Sequence, residues 1–328
     1  MRSLASYGTL LTLILAACPL HADDGAASIA AGGLVVLGRE TRITMAKEVL
    51  KISESKVTVD YDFRNDSDED VTTEVAFPIP SYDQDMGQVD LKEQGFDDFH
   101  LWVDGQPVRF KVQARAFLKG KDYTNVLMAL HIDVASFGHA TANDENRDIQ
   151  RLTPAQKAHL VDLGLTGSDY PSANWNVQKK YYWSQVFPAH KTVHIRHEYS
   201  PALGSENSVT YALSQADKQS VEELNSMCVD GQLKKTLTNV ANGKELDAPY
   251  AYVDFILTSA NTWKTPIEDF TLIVERPHLK NSIAEYVSFC WDGPVTKVDA
   301  DHFQVHATDL IPKKELRIGF FDVEKRRF

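Results

Sequence analysis

A period-two alternation between residues 57 and 77 is the feature that most constrains the fold of this chain. Apolar side chains fall at every second position from Val57 to Phe63, and the pattern largely repeats from Val71 to Phe77. Successive side chains of a β-strand point to opposite faces, so this pattern is typical of half-buried strands. An acidic run, Asp66–Asp70, separates the two segments. The sequence therefore predicts two partner strands joined by a turn.

The acidic run also resembles part of a metal-binding loop. Asp66, Asp68 and Asp70 could open a calcium loop, but a helix–loop–helix site needs glycine at its sixth position and a carboxylate at its twelfth. Val71 and Phe77 occupy these two positions. This class of calcium site is excluded, and a solvated turn is favoured over another kind of calcium site.

Turn and cap signals locate further elements. Asp104-Gly105 lies between two apolar alternations and predicts a β-hairpin. Thr153, Pro154 and Gln156 form the sequence of a capping box and predict a helix that Gly164 ends. A second helical stretch is predicted near Ser220, with a break at Asp230-Gly231, and strand patterns fill most of the remaining chain.

These elements predict a mostly β fold of two β-sandwich-like domains with inserted helices. The predicted boundaries are residues 1–22 for a signal peptide, 23–205 for an N-terminal β-sandwich with a helical insertion at about 118–172, and 206–328 for a helix plus a C-terminal β-sandwich. A length of 328 residues is consistent with two domains.

Charge narrows the range of partners. The chain carries 46 acidic and 34 basic residues and a formal net charge of −12. Proteins held by phosphate contacts need a basic surface, so nucleic acid and anionic membrane surfaces are not expected as partners.

The amino terminus predicts export. Arg2 precedes a short apolar run, Leu10–Ala17, which fits a secretory signal and is too short to span a bilayer. Cleavage after Ala22 would leave Asp23 as the first residue of a periplasmic or secreted protein. Leu15–Cys18 also resembles a lipobox, in which case Cys18 would be lipidated and would anchor the protein to a membrane.

Two cysteines remain in the processed chain under either interpretation. Cys228 and Cys290 predict one disulfide in an oxidising compartment, because both lie among apolar neighbours that suggest thiols facing a core. Two separate buried thiols are the alternative. Neither the cysteines nor the histidines form a cluster typical of structural zinc.

Catalytic and cofactor motifs are mostly missing from the sequence. Ser53–Lys56 fits the SxxK pattern, but the accompanying elements of penicillin-recognising enzymes are absent. His190, His194 and Glu198 share one strand face, which is expected to be the polar exterior, with His197 packed beside Tyr199. No catalytic residue, metal or cofactor is predicted.

Exposed aromatic rings are the remaining candidates for binding, because they offer an apolar face with a polar edge. Core packing is expected for most rings of the segment from Tyr181 to Phe187. Trp175 and Tyr182 are predicted as ligand-facing aromatics.

Several segments resemble a known family. They are Ile29–Val35, "YDFRNDSDEDVTTEVAFPIP", "YYWSQVFP", "HEYSP" and "DFILTSANTWKTPIEDFTLIVERP". Together they resemble the bacterial secreted family called domain of unknown function 4424, along nearly the whole processed chain. "VAFPIP" and "VFPAHKTVHIRHEYSPALG" are also similar to the vault-protein inter-alpha-trypsin sandwich, a non-catalytic interaction module.

The family resemblance implies an exported protein and carries no established activity. We therefore expect a non-enzymatic cell-envelope protein that binds a protein or glycan partner through a β-sandwich surface. The alternative is a hydrolase of envelope polymers that uses paired carboxylates, and a close pair of buried carboxylates in a cleft would favour it.

Overall fold

The structure is a computed structural model that describes residues 23–30, 34–82, 98–134, 147–168, 173–206, 209, 218–243 and 245–325. The predicted signal peptide, Cys18 and parts of the predicted helical insertion lie outside these residues. Within the described residues, no helix is long and apolar enough to cross a membrane.

Strands are the predominant secondary structure of the described chain and far outnumber helices, so the mostly β prediction is confirmed. In chain order they are β1 (Gly25–Ile29), β2 (Val35–Leu37), β3 (Ile43–Ile52), β4 (Val57–Asn65), β5 (Val71–Pro78), β6 (His100–Val103), β7 (Gln106–Pro107), β8 (Lys111–Leu118), β9 (Lys121–Asp122), β10 (Asn176–Phe187), β11 (Thr192–Tyr199), β12 (Leu203–Glu206), β13 (Leu246–Asp247), β14 (Tyr250–Phe255), β15 (Ile267–Glu275), β16 (Ser282–Phe289), β17 (Thr296–Lys297), β18 (His302–Leu310) and β19 (Leu316–Lys325).

The helices are short. They are α1 (Thr124–Ala129), α2 (Arg147–Gln150), α3 (Pro154–Asp162), α4 (Lys218–Ser226) and α5 (Gly231–Ala241), with a 3₁₀ turn at Thr258–Thr262. Helix α3 begins with the predicted capping box, in which Gln156 N donates to Thr153 Oγ1, and Gly164 follows it with a positive φ of 72°. The predicted hairpin is also present, since Asp104 and Gly105 join β6 to β7 and both have positive φ.

The strands of the described residues form three sheets. The six-stranded sheet has the order β2-β1-β5-β10-β8-β9, and the eight-stranded sheet has the order β17-β18-β15-β3-β4-β11-β6-β7. In the five-stranded sheet, β19 pairs with β13, β14 and β16, and β14 also pairs with β12.

Strands β4 and β5 do not pair with each other. The prediction from residues 57–77 that they are partner strands is therefore wrong. Strand β4 pairs with β3 and β11, whereas β5 lies in the other sheet between β1 and β10. The acidic turn therefore carries the chain from one sheet to another. Period-two alternation reports which face is buried and does not report the partner strand.

One apolar core joins all three sheets. Phe63 of the eight-stranded sheet lies 5.8 Å from Phe187 of the six-stranded sheet, measured between ring centroids. Phe77 likewise lies 6.2 Å from Phe255 of the five-stranded sheet. A smaller core lies between helices α4 and α5 and the five-stranded sheet, where Leu224 and Leu237 pack with Phe321.

The eight-stranded sheet takes strands from both sides of the predicted boundary at residues 205 and 206. Strand β15 pairs in parallel with β3, with Phe270 opposite Glu48 and Val274 opposite Ile52. The two predicted segments thus share a sheet and a core.

Candidate functional site

The most unusual feature of the core is a group of buried polar side chains, which we call the buried acidic cluster: Asp23, Asp24, Glu48, Tyr61, His197 and Ser259. All six are fully buried. They come from the segment before β1, from strands β3, β4 and β11, and from the 3₁₀ turn. The cluster therefore lies where the amino-terminal segment meets the eight-stranded sheet.

Hydrogen bonds fix the amino-terminal segment in this position. Asp23 N donates to Ser259 Oγ, and Ser259 Oγ donates to Asp23 O at 2.5 Å. Tyr61 Oη donates to Asp23 Oδ1 at 2.5 Å, and the indole N–H of Trp263 donates to Asp24 O at 2.6 Å. Side chains distant in sequence thus satisfy the backbone of the first two described residues.

Asp24 and His197 form a buried pair. Asp24 Oδ1 lies 2.9 Å from His197 Nε2, and both side chains are fully enclosed. Aromatic rings surround the imidazole, with the centroids of Phe77, Phe99 and Trp183 at 5.0, 5.1 and 5.3 Å. His197 is buried in the core. Strand periodicity could not predict that the carboxyl group of Asp24 is its partner.

Glu48 enters the core because strand β3 contains a bulge. The register against β4 shifts between Met45 and Lys47, so Met45 lies opposite Phe63 and Glu48 lies opposite Tyr61. One extra residue in a strand moves the following side chains to the other face. Without it, Lys47 would point inward, and Glu48 would lie on the exposed face.

The carboxyl groups of the buried acidic cluster are poorly compensated. No N–H or hydroxyl group of the described chain donates to either carboxyl oxygen of Glu48, to Asp23 Oδ2 or to Asp24 Oδ2. The carboxyl of Glu48 can share a proton only with that of Asp23. Burial raises the pKa of Asp23, Asp24 and Glu48, and the charges of Asp23 and Asp24 raise the pKa of Glu48 further. Within the described residues, no group of three His, Cys, Asp or Glu side chains is arranged to hold a metal ion.

A second candidate site is the outer face of the eight-stranded sheet, which we define by Trp102, Arg196, Asp60, Glu198 and His100. Arg196 lies opposite Asp60 on one side and opposite Trp102 on the other. Directly opposed residues share a face, so these side chains form one row across three strands. His100 lies beside Trp102, with 5.6 Å between ring centroids.

Trp102 differs from the other four tryptophans. Trp175, Trp183 and Trp263 are buried, and Trp291 stacks on Phe270 at 5.7 Å between centroids. Trp102 is partly exposed, and the ring beside it, that of His100, is itself exposed. The outer face thus presents an indole ring with acidic and basic side chains nearby.

Comparison with known proteins places the chain in a family. The family described as Domain of unknown function (DUF4424) matches residues 22–318. The chain belongs to the DUF4424 family. No curated protein matches the sequence.

Two solved structures show distant likenesses to this DUF4424 chain. A candidate nutrient-binding protein of Legionella pneumophila is 14% identical, with a TM-score of 0.41, over 92% of this chain and 72% of the other. An M1 zinc metallopeptidase of Deinococcus radiodurans is 9% identical, with a TM-score of 0.27, over 86% of this chain and 43% of the other.

The aromatic residues predicted to face a ligand lie elsewhere. Trp175 is fully buried in the main core, so its ring offers no surface to a ligand, which corrects that expectation. Tyr182 is partly exposed on β10, packs against the small core of Ala27, Val35 and Ala76, and has Lys111 Nζ 5.8 Å from its ring centroid. Trp102 was missed because its strand has only four residues, too few for a clear alternation.

Cys228 and Cys290 are joined by a disulfide, with 5.0 Å between their Cα atoms. The bond connects the link between α4 and α5 to the end of β16. Cys228 is exposed and Cys290 is partly exposed, so the expectation that both face a core is corrected. Their apolar neighbours Met227 and Phe289 pack inward instead.

Side chains of the acidic turn and of its neighbours form hydrogen bonds and ion pairs with each other. Asp66 accepts from Arg64 Nε at 2.7 Å and from Lys264 Nζ at 2.9 Å, and these bonds lower the pKa of Asp66, that to Arg64 most strongly. His190 contacts Asp68 at 2.9 Å, whereas Glu198 binds Lys56 at 2.6 Å. His194 and Glu198 lie on the polar outer face of β11, as expected. His190 lies in the turn before β11, with a positive φ of 55°, so the prediction that it shares this strand face is wrong.

Proposed function

We propose that this chain is an exported cell-envelope protein that binds a partner protein through the outer face of the eight-stranded sheet. Trp102 and Arg196 form the centre of the contact. The observation that carries the proposal is the direct opposition of these two residues on a partly exposed sheet face. Tryptophan and arginine are the residue types most enriched among the side chains that dominate binding energy at protein interfaces.

Mixed charges around Trp102 favour a protein partner over a glycan. Arg196 Nη1 lies 3.2 Å from Asp60 Oδ2, and Lys56 Nζ lies 2.6 Å from Glu198 Oε1. An aromatic centre within a polar, charged rim is the usual composition of a non-obligate protein interface. These ion pairs are partly exposed, so a partner can exchange contacts with them at little cost.

Export is supported by two independent features. The amino terminus has the pattern of a signal with cleavage after Ala22, and the folded chain contains the Cys228–Cys290 disulfide. Stable disulfides are typical of proteins in oxidising compartments. The alternative is cleavage before Cys18 and lipidation of Cys18. It would leave the outer face of the eight-stranded sheet unchanged.

Burial argues against the hydrolase alternative. The close carboxyl groups of Asp23, Asp24 and Glu48 are fully enclosed, and a general acid must come within hydrogen-bond reach of its substrate. A polymer chain cannot approach these groups without opening the core. We therefore favour binding over hydrolysis.

Site-specific photo-crosslinking in living cells tests the binding surface. A photoreactive amino acid at position 102 should give one discrete adduct with a single protein. The same amino acid at Val186, an exposed position on β10 of the other sheet, is the matched control and should give no adduct with that protein.

Arg196→Glu should abolish the adduct at position 102, because it reverses the charge at the centre of the contact. Equal adducts at positions 102 and 186, or an adduct that survives Arg196→Glu, would contradict the proposed surface. Crosslinking to glycan instead of protein would contradict the choice of partner.

A further inference from the structure

The backbone nitrogen of Asp23 occupies an unusual place for the residue after a predicted cleavage site. It is buried in the core and donates to Ser259 Oγ, and Ser259 is itself fully buried. Signal cleavage sites must reach a protease in an extended, accessible form, so the bond before Asp23 cannot be cut once this segment is packed as in the structure. Cleavage must therefore precede the final packing of residues 23 and 24.

The buried acidic cluster contains more acidic than basic side chains. Three buried carboxyl groups, those of Asp23, Asp24 and Glu48, face a single imidazole, that of His197. Glu48 is the extreme case, because it is fully buried and no N–H or hydroxyl group of the described chain donates to either of its carboxyl oxygens. A buried charge without a partner is strongly destabilising, so buried charges are normally paired.

We propose that the α-ammonium group of Asp23, freed by hydrolysis of the Ala22–Asp23 bond, is the buried cation of this cluster and that Glu48 is its counter-ion. Hydrolysis breaks the bond between the Ala22 carbonyl carbon and the Asp23 nitrogen. Water supplies its oxygen to the new Ala22 carboxylate and both of its hydrogens, as protons, to the nitrogen, which changes from N–H to NH₃⁺. A peptide nitrogen offers one N–H, which Ser259 already accepts. An ammonium group offers three donors and a full positive charge.

The position of Glu48 supports this assignment. Glu48 lies directly opposite Tyr61 on the neighbouring strand, and the Tyr61 hydroxyl donates to Asp23 Oδ1 at 2.5 Å. The β3 bulge is what directs Glu48 inward, although Lys47 stands next to it in sequence. A bulge that buries an acid and exposes a lysine has a cost, which a cation beside the acid would offset.

This inference rests on the export part of the proposed function and decides between its two routes. Cleavage after Ala22 creates the ammonium group at Asp23. Cleavage before Cys18 would leave residues 18–22 attached, and the nitrogen of Asp23 would remain an amide. The processed chain that begins at Asp23 is then more stably folded than its precursor, so removal of the leader completes the core.

Paired variants test the ion pair. Chains that begin at Asp23 and at Ala22 are prepared, because a single added residue moves the ammonium about 3.8 Å away and replaces it with an amide. The Ala22 chain should melt about 4 °C or more below the Asp23 chain. Glu48→Gln should lower the melting temperature of the Asp23 chain and should not lower that of the Ala22 chain. Glu69→Gln, on the exposed acidic turn, is the control and should act equally on both.

The rate at which the α-amine of Asp23 is acylated tests the ion pair without any substitution. In the folded Asp23 chain at pH 7, the α-amine should react with an acetylating reagent at least ten times more slowly than exposed lysines such as Lys47, and unfolding should abolish the difference. Mass spectrometry of the amino-terminal peptide measures the rate. An α-amine that reacts as fast as Lys47 in the folded chain, or equal effects of Glu48→Gln on both chains, would overturn the inference. Neither result depends on whether Trp102 binds a partner.

Discussion

At the scale of single residues, stability depends on how the few buried charges are satisfied. Asp24 and His197 form a pair with both side chains fully enclosed, while Asp62 and His194 form a similar pair at 3.0 Å with exposed fractions of 39% and 45%. The two pairs have the same chemistry and differ in burial. They offer a matched comparison within one sheet.

Asp24→Ala should destabilise the protein by about 3 to 5 kcal/mol, because it leaves His197 without a partner in the core. Asp62→Ala should cost less than about 1 kcal/mol, because water solvates His194. Urea unfolding followed by intrinsic fluorescence measures both. Equal losses for the two variants would show that the buried pair contributes no more than an exposed one.

The pH dependence of stability follows from the same cluster. Burial raises the pKa of Asp23, Asp24 and Glu48 above their ordinary values. A carboxyl whose pKa is higher in the folded state contributes stability that is complete below its unfolded pKa and is lost as pH rises through the folded pKa. The other titratable groups that face these three carboxyls are Tyr61, His197 and Glu315.

A chain that begins at Ala22 should therefore become more stable as pH falls from about 7 to about 5, because protonation removes uncompensated charge. The gain should be smaller for a chain that begins at Asp23, in which the ammonium group offsets Glu48. His197 is present in both chains, so the difference between them isolates the carboxyl groups. Thermal melts across this pH range that give parallel curves would refute the expectation.

At the scale of elements, the sequence was sufficient to predict features that depend on a few adjacent residues. The capping box at Thr153 and the turn at Asp104-Gly105 were predicted because each depends on a few adjacent residues. The burial of Glu48 was not predicted, because a bulge breaks the alternation that assigns side chains to faces. The burial of Asp23 and Asp24 was not predicted either, since an acidic pair at a chain start is normally solvated.

The disulfide is the element-scale feature with the clearest energetic consequence. Cys228 and Cys290 close a loop with a sequence separation of 62, for which chain entropy gives about 4 kcal/mol of stabilisation. Each single change to serine, and the double change, should lower the unfolding free energy by a similar amount, because the two cysteines act as one unit.

Denaturant unfolding of the three variants measures these losses. Thiol titration of the unfolded, unreduced protein is the accompanying control and should find neither cysteine free. Additive losses in the double variant, or two titratable thiols, would show that the bond does not form in solution.

At the scale of the whole molecule, pairing between distant segments decides the architecture. Strand β15 joins β3 in parallel across more than half of the chain, and one core includes all three sheets. Periodicity assigns each strand a buried face without identifying its neighbour. The sequence could therefore supply the strands and most of their inward faces, while sheet membership required the structure.

Asp23 and Asp24 form part of this shared core. Asp23 and Asp24 contact Tyr61, His197, Ser259 and Trp263, which belong to elements from both halves of the sequence. Loss of these two residues would leave buried donors without acceptors and a cavity between the sheets.

The most direct test compares the unfolding free energy of a chain that begins at Gly25 with that of a chain that begins at Asp23. Urea titration under identical conditions gives both values. The account predicts that removal of Asp23 and Asp24 lowers the free energy of unfolding by more than about 3 kcal/mol. Equal unfolding free energies for the two chains would contradict it.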